Sequence, residues 1–356
     1  MLRPTADVLR LQPYRAGGSS LPDPATAIRL DANESPFGPS PAAVQAAAAA
    51  AARAGRYPDS RAEALRGAIG QAHGIDPDAI VCGHGSEEMI SLLARAFLNP
   101  GDELLTGRTS FAIFRLAALA AGGEPVLAEE RELAMDADSV LAAVTPRTKL
   151  VFWANPNNPT GAFAPLSEIA RLRDALPEHV LLVFDAAYAE YVDDPAYGNP
   201  HMLVEPEGRV AVLRTFSKAY GLAAARLGWL HAPAVVCDAL ERLRPVFNVA
   251  GPSAAAAMAA LEDREHLALV VREAARSRRG WRELADRLGL KAKVEYGNFA
   301  FLEHAPGLAE HLTRANIAVL PLKGYGLADG VRVSFGTRDE DEAVWAATTE
   351  WARLSP

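Results

Sequence analysis

The residues from Val210 to Lys218 have the sequence VAVLRTFSK, in which four apolar residues are followed by polar ones and a lysine. Two other short apolar runs, Leu150–Trp153 and Val180–Phe184, also end in polar or turn residues. Such runs are typical of strands covered on both faces, as in a parallel sheet with helices between the strands. Because helical patterns alternate with them, the sequence predicts an α/β fold; these patterns lie at Leu166–Ala175 and Asp238–Leu243.

The rest of the chain predicts an N-terminal arm and a second, smaller unit. Residues 1–41 are rich in Pro, Gly and Asp and show little periodicity, whereas Ser40-Pro41 has the pattern of a helix start. We expect a large domain at 46–245, with a mostly parallel sheet flanked by helices, and an arm (1–45) with a small α+β domain (246–356). Further helices are predicted at 62–73, 87–98, 111–121, 252–261, 265–288 and 345–354, and further strands at 103–106, 294–302, 318–322 and 331–335.

Composition excludes several classes of function. The 356 residues are 50% hydrophobic and carry a formal net charge of −8, with acidic and basic residues interspersed, which argues against a nucleic-acid partner. No Cys/His cluster has the spacing of metal ligands, so no metal is expected.

The N-terminus has no signal-peptide pattern, and the longest low-polarity run, Ala42–Ala52, is too short to span a membrane. We expect a cytoplasmic protein whose two cysteines, Cys82 and Cys237, are reduced and buried.

Polar side chains follow each of the three apolar runs. The first run is followed by ANPNNPTG at 154–161, the second by Asp185 and Tyr188, and the third by Ser217 and Lys218. Ligands of open α/β sheets bind at the carboxyl ends of the strands. We therefore expect Asn, Asp, Tyr, Ser and Lys side chains to converge at one edge of one sheet.

Lys218 is the strongest candidate for chemistry. The chain has five lysines, and Lys218 alone follows a buried strand; Lys323, in a Gly-rich loop, is the rival. A lysine that forms an imine needs a carbonyl cofactor or substrate. Pyridoxal 5′-phosphate (PLP) would need a carboxylate at its ring nitrogen, for which Asp185 is the candidate. A solvated role for Lys218 and a structural cap role for Asp185 are the alternatives.

A phosphate site is predicted where a glycine-rich turn opens a helix. Gly83-His84-Gly85-Ser86-Glu87 leads into the helix predicted at 87–98. The free N–H groups and dipole of a helix N-terminus attract anions. A plain N-cap by Ser86 explains the same pattern equally well. Hydroxyls and a cation would come from Thr215, Ser217 and Arg226.

These residues resemble a known family. NPNNPTG at 155–161, Asp185-x-x-Tyr188, and Ser217-Lys218 followed by Arg226 resemble the fold-type-I PLP-dependent aminotransferases. The closest likeness is to the histidinol-phosphate aminotransferase family, over about residues 13–350. It is carried by DANESPFGP at 31–39, RYPD at 56–59, FNV at 247–249 and RVSFGTR at 332–338.

The resemblance implies a role for each matching residue. Lys218 would bond the cofactor and move protons, Asp185 would pair with its ring nitrogen, and Tyr57 would reach the cofactor of a neighbouring subunit, which implies a homodimer with shared sites. Asn158 and Tyr188 would contact the phenolic oxygen. Phosphate contacts would come from Gly85, Ser86, Glu87, Thr215, Ser217 and Arg226, ring stacking from Phe111, and substrate contacts from Arg338, Tyr14 and Asn33.

The implied reaction moves an amino group between histidinol phosphate and 2-oxoglutarate, in the histidine biosynthetic pathway. The sequence departs from the family at Ala186, where the family has Glu, and at Leu320, where it often has Arg. The second change removes an anion contact. An aromatic aminotransferase for phenylalanine or tyrosine is therefore the main alternative, and a PLP-dependent decarboxylase of a phosphorylated amino acid is a further one.

Overall fold

The computed structural model describes residues 3, 9–11 and 21–354. A seven-stranded sheet forms its centre, with the spatial order β2-β8-β7-β6-β5-β3-β4. Strands β3 to β7 pair in parallel, whereas β8 runs antiparallel to both of its neighbours. The strands are β2 (Ile80–Gly83), β3 (Glu103–Gly107), β4 (Glu124–Ala128), β5 (Thr148–Ala154), β6 (Leu181–Asp185), β7 (Val210–Thr215) and β8 (Gly228–His231).

Helices cover both faces of this sheet because its strands are apolar on both sides. On β5, Leu150 and Phe152 pack into one core, and Val151 and Trp153 pack into the core on the opposite face. This alternation is the period of two that a strand imposes. The helices of the large-sheet region are α1 (Pro41–Ala51), α2 (Glu63–His73), α3 (Ser86–Phe97), α4 (Ile113–Ala120), α5 (Ala137–Ala143), α6 (Leu166–Ala175) and α7 (Ala234–Leu243).

The C-terminal region forms a smaller sheet with its own core. Four strands pair antiparallel in the order β12-β13-β10-β9, and Trp281, Phe299 and Trp351 lie in the core between this sheet and its helices. The strands are β9 (Ala292–Lys293), β10 (Phe299–Leu302), β11 (Ile317–Ala318), β12 (Leu320–Pro321) and β13 (Val331–Ser334), and the helices are α8 (Gly251–Glu262), α9 (Arg264–Leu288), α10 (Leu308–Arg314) and α11 (Arg338–Leu354).

Residues 28–34 connect the two regions, and we call them the N-terminal strap. Strand β1 (Ile28–Arg29) pairs in parallel with β11. The Leu30 N–H donates to Ala318 O at 2.8 Å, and Leu30 O accepts the Ser334 N–H at 2.9 Å. The strap thus lies between the small sheet and the carboxyl ends of the large one.

The α/β fold predicted from the sequence is confirmed. The three apolar runs form the parallel strands β5, β6 and β7, and Ser40 caps α1 by accepting the Ala43 N–H at 3.2 Å. The sequence did not predict β2, β4 or β8, and α11 begins at Arg338, seven residues before the expected start. Helix α8 packs against α1, so it shares a core with Phe216 and Trp229 of the large region. The domain boundaries near residues 45 and 245 stay a prediction.

In the part of the chain that the structure describes, we find no helix whose length and apolar character would let it cross a bilayer.

We expect Phe152→Ala to destabilise the fold. Phe152 is fully buried in β5, where it contacts Phe114 with a ring-centroid distance of 4.8 Å. Removing the ring leaves a cavity, which costs about 3–5 kcal/mol in the free energy of unfolding. Urea denaturation measures this loss. The control is Val235→Ala, at a side chain that is 68% exposed; we expect it to change stability by less than about 0.5 kcal/mol. Equal effects of the two substitutions would contradict this description of the core.

Candidate active site

A cavity of about 300 Å³ opens at the carboxyl ends of β5, β6 and β7. Strand pairing brings these ends together, since Ala154 lies opposite Asp185, and Asp185 opposite Leu213. The small sheet closes the cavity from the other side. Its walls are formed by Asp31, Ala32, Ser86, Glu87, Phe111, Ala154, Pro156, Asn158, Asp185, Ala187, Tyr188, Thr215, Ser217, Lys218, Arg226, Leu320 and Arg332.

Lys218 lies three residues beyond the end of β7, and its Nζ donates a hydrogen bond to Ala32 O at 2.9 Å. Burial lowers the pKa of Lys218 to about 7, and the positive charges of Arg332 and Arg226 act in the same direction. A lysine with this pKa is partly uncharged at neutral pH, whereas an ordinary lysine is almost wholly protonated. Because the uncharged amine is the nucleophile, the site activates Lys218 for attack on a carbonyl.

Asp185 is the last residue of β6 and is buried at the cavity wall. Burial raises the pKa of Asp185 to about 6, against the opposing effects of the Ala187 N–H, 3.0 Å from Oδ1, and of the Lys218 charge. A buried carboxylate is stabilised by a cation placed beside it. The cavity therefore offers a site for a positively charged ring nitrogen next to Asp185.

Tyr188 is buried with its hydroxyl held by the N-terminal strap. Asn33 Nδ2 donates to the Tyr188 hydroxyl at 2.9 Å, and Asn33 Oδ1 accepts from the Ser334 hydroxyl at 2.8 Å. Burial raises the pKa of Tyr188 to about 12, so the phenol keeps its proton at neutral pH. Since its oxygen accepts from Asn33, its proton can be donated to another acceptor. Asn33, predicted to bind substrate, lies behind Tyr188 and is not part of the cavity wall.

The end of the cavity near α3 has the features of an anion site. Ser86 and Glu87 of the first turn of α3 lie in the wall, and Arg226 lies beside them. The N-cap of α3 is Gly85, with φ +84°, rather than Ser86. A Cβ on Gly228 would lie 2.3 Å from Ser86 N, and one on Gly85 would lie 2.9 Å from Arg226 Nη2. The two glycines thus allow the turn, β8 and the guanidinium to approach closely, around helix N–H groups that have no partner within the helix.

Arg332, not Arg338, is the arginine of the small sheet that lines the cavity. Arg332 donates from Nη1 to Asn158 Oδ1 at 2.5 Å and from Nη2 to Asp31 O at 2.6 Å. The structure does not bring Arg338 into the cavity: its side chain is 66% exposed and is paired with Glu273 at 3.0 Å. The role expected for Arg338 fits Arg332, which lies six residues earlier in the chain.

The bond from Arg332 also orients Asn158. Because Asn158 Oδ1 accepts from the guanidinium, its Nδ2 is left to donate into the cavity. This orientation suits the predicted contact to a phenolic oxygen. The sequence did contain a signal for Arg332, because it lies between two valines in a buried strand. A buried arginine needs charged or polar partners, so its position pointed to a site.

Two aromatic residues predicted to contact the cofactor occupy different environments. Phe111 lies in the cavity wall, with its ring edge-on to Phe114. Tyr57 is 82% exposed and stacks on Phe247 at a ring-centroid distance of 4.6 Å. Tyr57 is therefore outside the cavity of its own chain, and its contact with a neighbouring subunit stays a prediction.

Most of the predicted site residues meet at this cavity. Ser86, Glu87, Phe111, Asn158, Asp185, Tyr188, Thr215, Ser217, Lys218 and Arg226 all line it. Gly85 lies directly behind the wall as the N-cap of α3. Tyr14 lies outside the described residues, and Lys323, the rival lysine, is exposed and does not line the cavity. Among the described residues, no group of three or more His, Cys, Asp or Glu could hold a metal ion.

The chain is similar in sequence and in fold to known proteins along nearly its whole length. A histidinol-phosphate aminotransferase from Rhodopseudomonas palustris (strain BisB18) is 40% identical to this chain, and the match covers 98% of both proteins. One from Nitrobacter hamburgensis is also 40% identical, and the match covers 96% of both proteins. The crystal structure of the Sinorhizobium meliloti histidinol-phosphate aminotransferase, solved in complex with pyridoxal-5′-phosphate, superposes with a TM-score of 0.89 at 28% identity, covering 99% of this chain and 98% of that one.

The sequence model of the family "Aminotransferase class I and II" matches residues 25–347. That range contains every described residue of the cavity wall. The chain therefore belongs to the class I and II aminotransferases and, within them, to the histidinol-phosphate aminotransferase family.

Proposed function

We propose that this protein is a PLP-dependent aminotransferase that exchanges an amino group between glutamate and the keto form of histidinol phosphate, imidazole-acetol phosphate. The observation that carries the proposal is the cavity that Lys218, with its lowered pKa, lines together with Asp185 and the first turn of α3. The relatives that are 40% identical to the chain are histidinol-phosphate aminotransferases, which supports the choice of substrate.

The residues of the cavity fit PLP. Gly85 and Gly228 let the first turn of α3, β8 and the Arg226 guanidinium approach closely, so that helix N–H groups and a positive charge can converge on a phosphate group. Asp185 can pair with a protonated ring nitrogen, and Asn158 and Tyr188 can donate to a phenolic oxygen. When bound, PLP supplies an aldehyde carbon and a ring that withdraws electrons from the reacting carbon.

Lys218 would act twice in the exchange. Its uncharged Nζ would hold the cofactor covalently. Once free, Nζ would take the proton from Cα of the amino donor as a general base and give it to the former aldehyde carbon of the cofactor as a general acid. A pKa of about 7 suits both tasks near neutral pH.

Arg332 would bind the anionic group of each substrate in turn. A guanidinium held at two of its nitrogens has a fixed plane, and such a plane suits carboxylate and phosphate oxygens. Glutamate presents a carboxylate and histidinol phosphate a phosphate. One arginine can therefore serve the two halves of the reaction in turn.

A second candidate function is the transamination of an aromatic amino acid. Leu320 lines the cavity together with Phe111, so the wall near Arg332 includes apolar surface. Phenylalanine or tyrosine would place its carboxylate on Arg332 and its ring against this surface. The observation favours this activity specifically because Leu320 stands where an arginine would add a second cation.

We also propose that the protein forms a homodimer in which each active site uses residues of both subunits, and that this dimer is cytoplasmic. Tyr57 and Phe247 form an exposed stacked pair, and the neighbouring Val246 is 70% exposed. Phe247 has φ +62°, an uncommon conformation for a bulky residue and one that is kept where it has a role. Exposed apolar clusters of this kind mark contact surfaces. Cys82 and Cys237 are free thiols, in keeping with that location.

The donor is tested by single-turnover reactions of the PLP form with histidinol phosphate and, separately, with phenylalanine. We expect conversion at least about tenfold faster with histidinol phosphate, because a buried polar group left without a partner costs about 1–3 kcal/mol. Loss of the cofactor's imine absorbance measures the rate. Lys218→Ala is the negative control and should react with neither donor. Faster conversion with phenylalanine would establish the second candidate instead.

Arg332 and Arg338 can be distinguished by matched substitutions to glutamine. We expect Arg332→Gln to lower kcat/KM for glutamate by about tenfold to a hundredfold, since a charged hydrogen-bond pair is lost. Arg338→Gln should stay within about twofold, because exposed ion pairs contribute little. Steady-state kinetics measure both variants. The reverse order of effects would return the substrate role to Arg338.

Tyr57 is tested with hybrid dimers. A dimer of one Tyr57→Ala chain and one Lys218→Ala chain contains one intact site if Tyr57 serves the partner, and none if it serves its own chain. We expect the hybrid to retain one tightly bound PLP, as does a hybrid of wild type with Lys218→Ala. Cofactor content after gel filtration gives the answer, and a hybrid that retains none would exclude the shared site.

A further inference from the structure

Glu88 lies behind the anion site, outside the cavity wall. It is the third residue of α3, and its Oε2 accepts two hydrogen bonds, from the His84 N–H at 2.6 Å and from Asn248 Nδ2 at 2.7 Å. One carboxylate oxygen therefore joins the turn that precedes α3 to the segment that contains Asn248. These two parts of the chain are 160 residues apart in sequence.

The turn before α3 is shaped around this carboxylate. A Cβ on Gly83 would lie 2.5 Å from Glu88 Oε2 and 2.1 Å from Met89 Cε, so Glu88 and Met89 fill the space beside the glycine. In a capping box, a Glu at the third helical position binds the N–H of the N-cap residue. Here Glu88 binds the N–H one residue earlier, while the Gly85 N–H bonds to Gly83 O at 2.8 Å. The carboxylate thus fixes the direction in which the turn enters α3.

Asn248 in turn fixes Glu88. Asn248 Oδ1 accepts from Arg244 Nη1 at 3.2 Å, and Arg244 is paired with Glu241 at 2.8 Å. Since the Asn248 oxygen faces a guanidinium, its amide nitrogen must face Glu88. The chain from Glu241 through Arg244 and Asn248 holds the Glu88 carboxylate at the His84 N–H.

We propose that Glu88 is a positioning residue for the phosphate group of the cofactor. It acts through the backbone of His84 and Gly85, which sets where the first N–H groups of α3 point, and Asn248 holds it in place. The inference rests on the proposed function, since it takes the N-terminus of α3 as the phosphate site. A carboxylate in direct contact with the phosphate would repel it, whereas Glu88 is turned towards the turn and Asn248.

The test compares two ligands that differ by the phosphate. Cofactor-free protein is titrated with PLP and with pyridoxal, which lacks the phosphate, and imine absorbance gives the two dissociation constants. We expect Glu88→Ala to weaken PLP about tenfold, the effect of losing a hydrogen bond to a charged acceptor, and to leave pyridoxal unchanged. Glu88→Gln keeps an acceptor oxygen and should restore most of the PLP affinity.

Two further variants keep the result interpretable. Asn248→Ala removes the neighbour that holds Glu88 and should give a smaller loss of PLP affinity, again without an effect on pyridoxal; it also serves if Glu88→Ala does not fold. Glu265→Ala is the matched control, because Glu265 is an exposed acidic residue in the first turn of α9 and lies far from this turn in sequence. It should leave both constants unchanged.

The outcomes are distinct. Equal weakening of PLP and pyridoxal by Glu88→Ala would mean a general structural role and would overturn the inference, as would unchanged affinity for both. A Gln variant as weak as the Ala variant would also overturn it, since acceptance of the His84 N–H would not be the cause. If the wild-type protein itself bound the two ligands equally, the proposed cofactor site would fall, and this inference with it.

Discussion

The parallel pairing of β5, β6 and β7 is the constraint on which the site depends. Parallel strands end at one edge, so the register that sets Ala154 beside Asp185 and Asp185 beside Leu213 also sets Asn158, Tyr188 and Lys218 around one cavity. The strands are buried on both faces, and a slip of one residue would turn every side chain of a strand towards the opposite core. The packing of the sheet therefore specifies the geometry of the chemistry.

Burial moves the two central groups of the cavity in opposite directions on the pH scale. It lowers the pKa of Lys218 to about 7 and raises that of Asp185 to about 6, because a low-dielectric surrounding disfavours the charged form of each. Both shifts favour neutral groups at the same place. Burial of these two groups makes the site reactive but destabilises the fold. The apolar cores that contain Phe152 and Trp281 offset this destabilisation.

The sequence was sufficient to predict what depends on local pattern. The apolar runs predicted β5, β6 and β7, and the lysine after the last run predicted the centre of the site. It was insufficient for β8, whose GWLH sequence mixes Gly and His with apolar residues and forms a strand by pairing between β2 and β7. Arg332 was missed as a site residue because its partners, Asp31 and Asn158, are 301 and 174 residues away. Contacts of this kind exist only once the small sheet has docked.

The N-terminal strap divides its bonds between the small sheet and the carboxyl ends of the large sheet. Leu30 bonds to the small sheet, Asp31 O accepts from Arg332, Ala32 O accepts from Lys218, and the Asn33 side chain donates to Tyr188. Leu30 and Asp31 bond to the small sheet, the chain then turns, with Asn33 at φ +52°, and Ala32 and Asn33 bond to residues beside the large sheet. Adding or deleting one residue here would move these groups away from their partners even if every side chain were kept. In this part of the chain, length is therefore as strictly determined as composition, and insertions that surface loops tolerate are excluded.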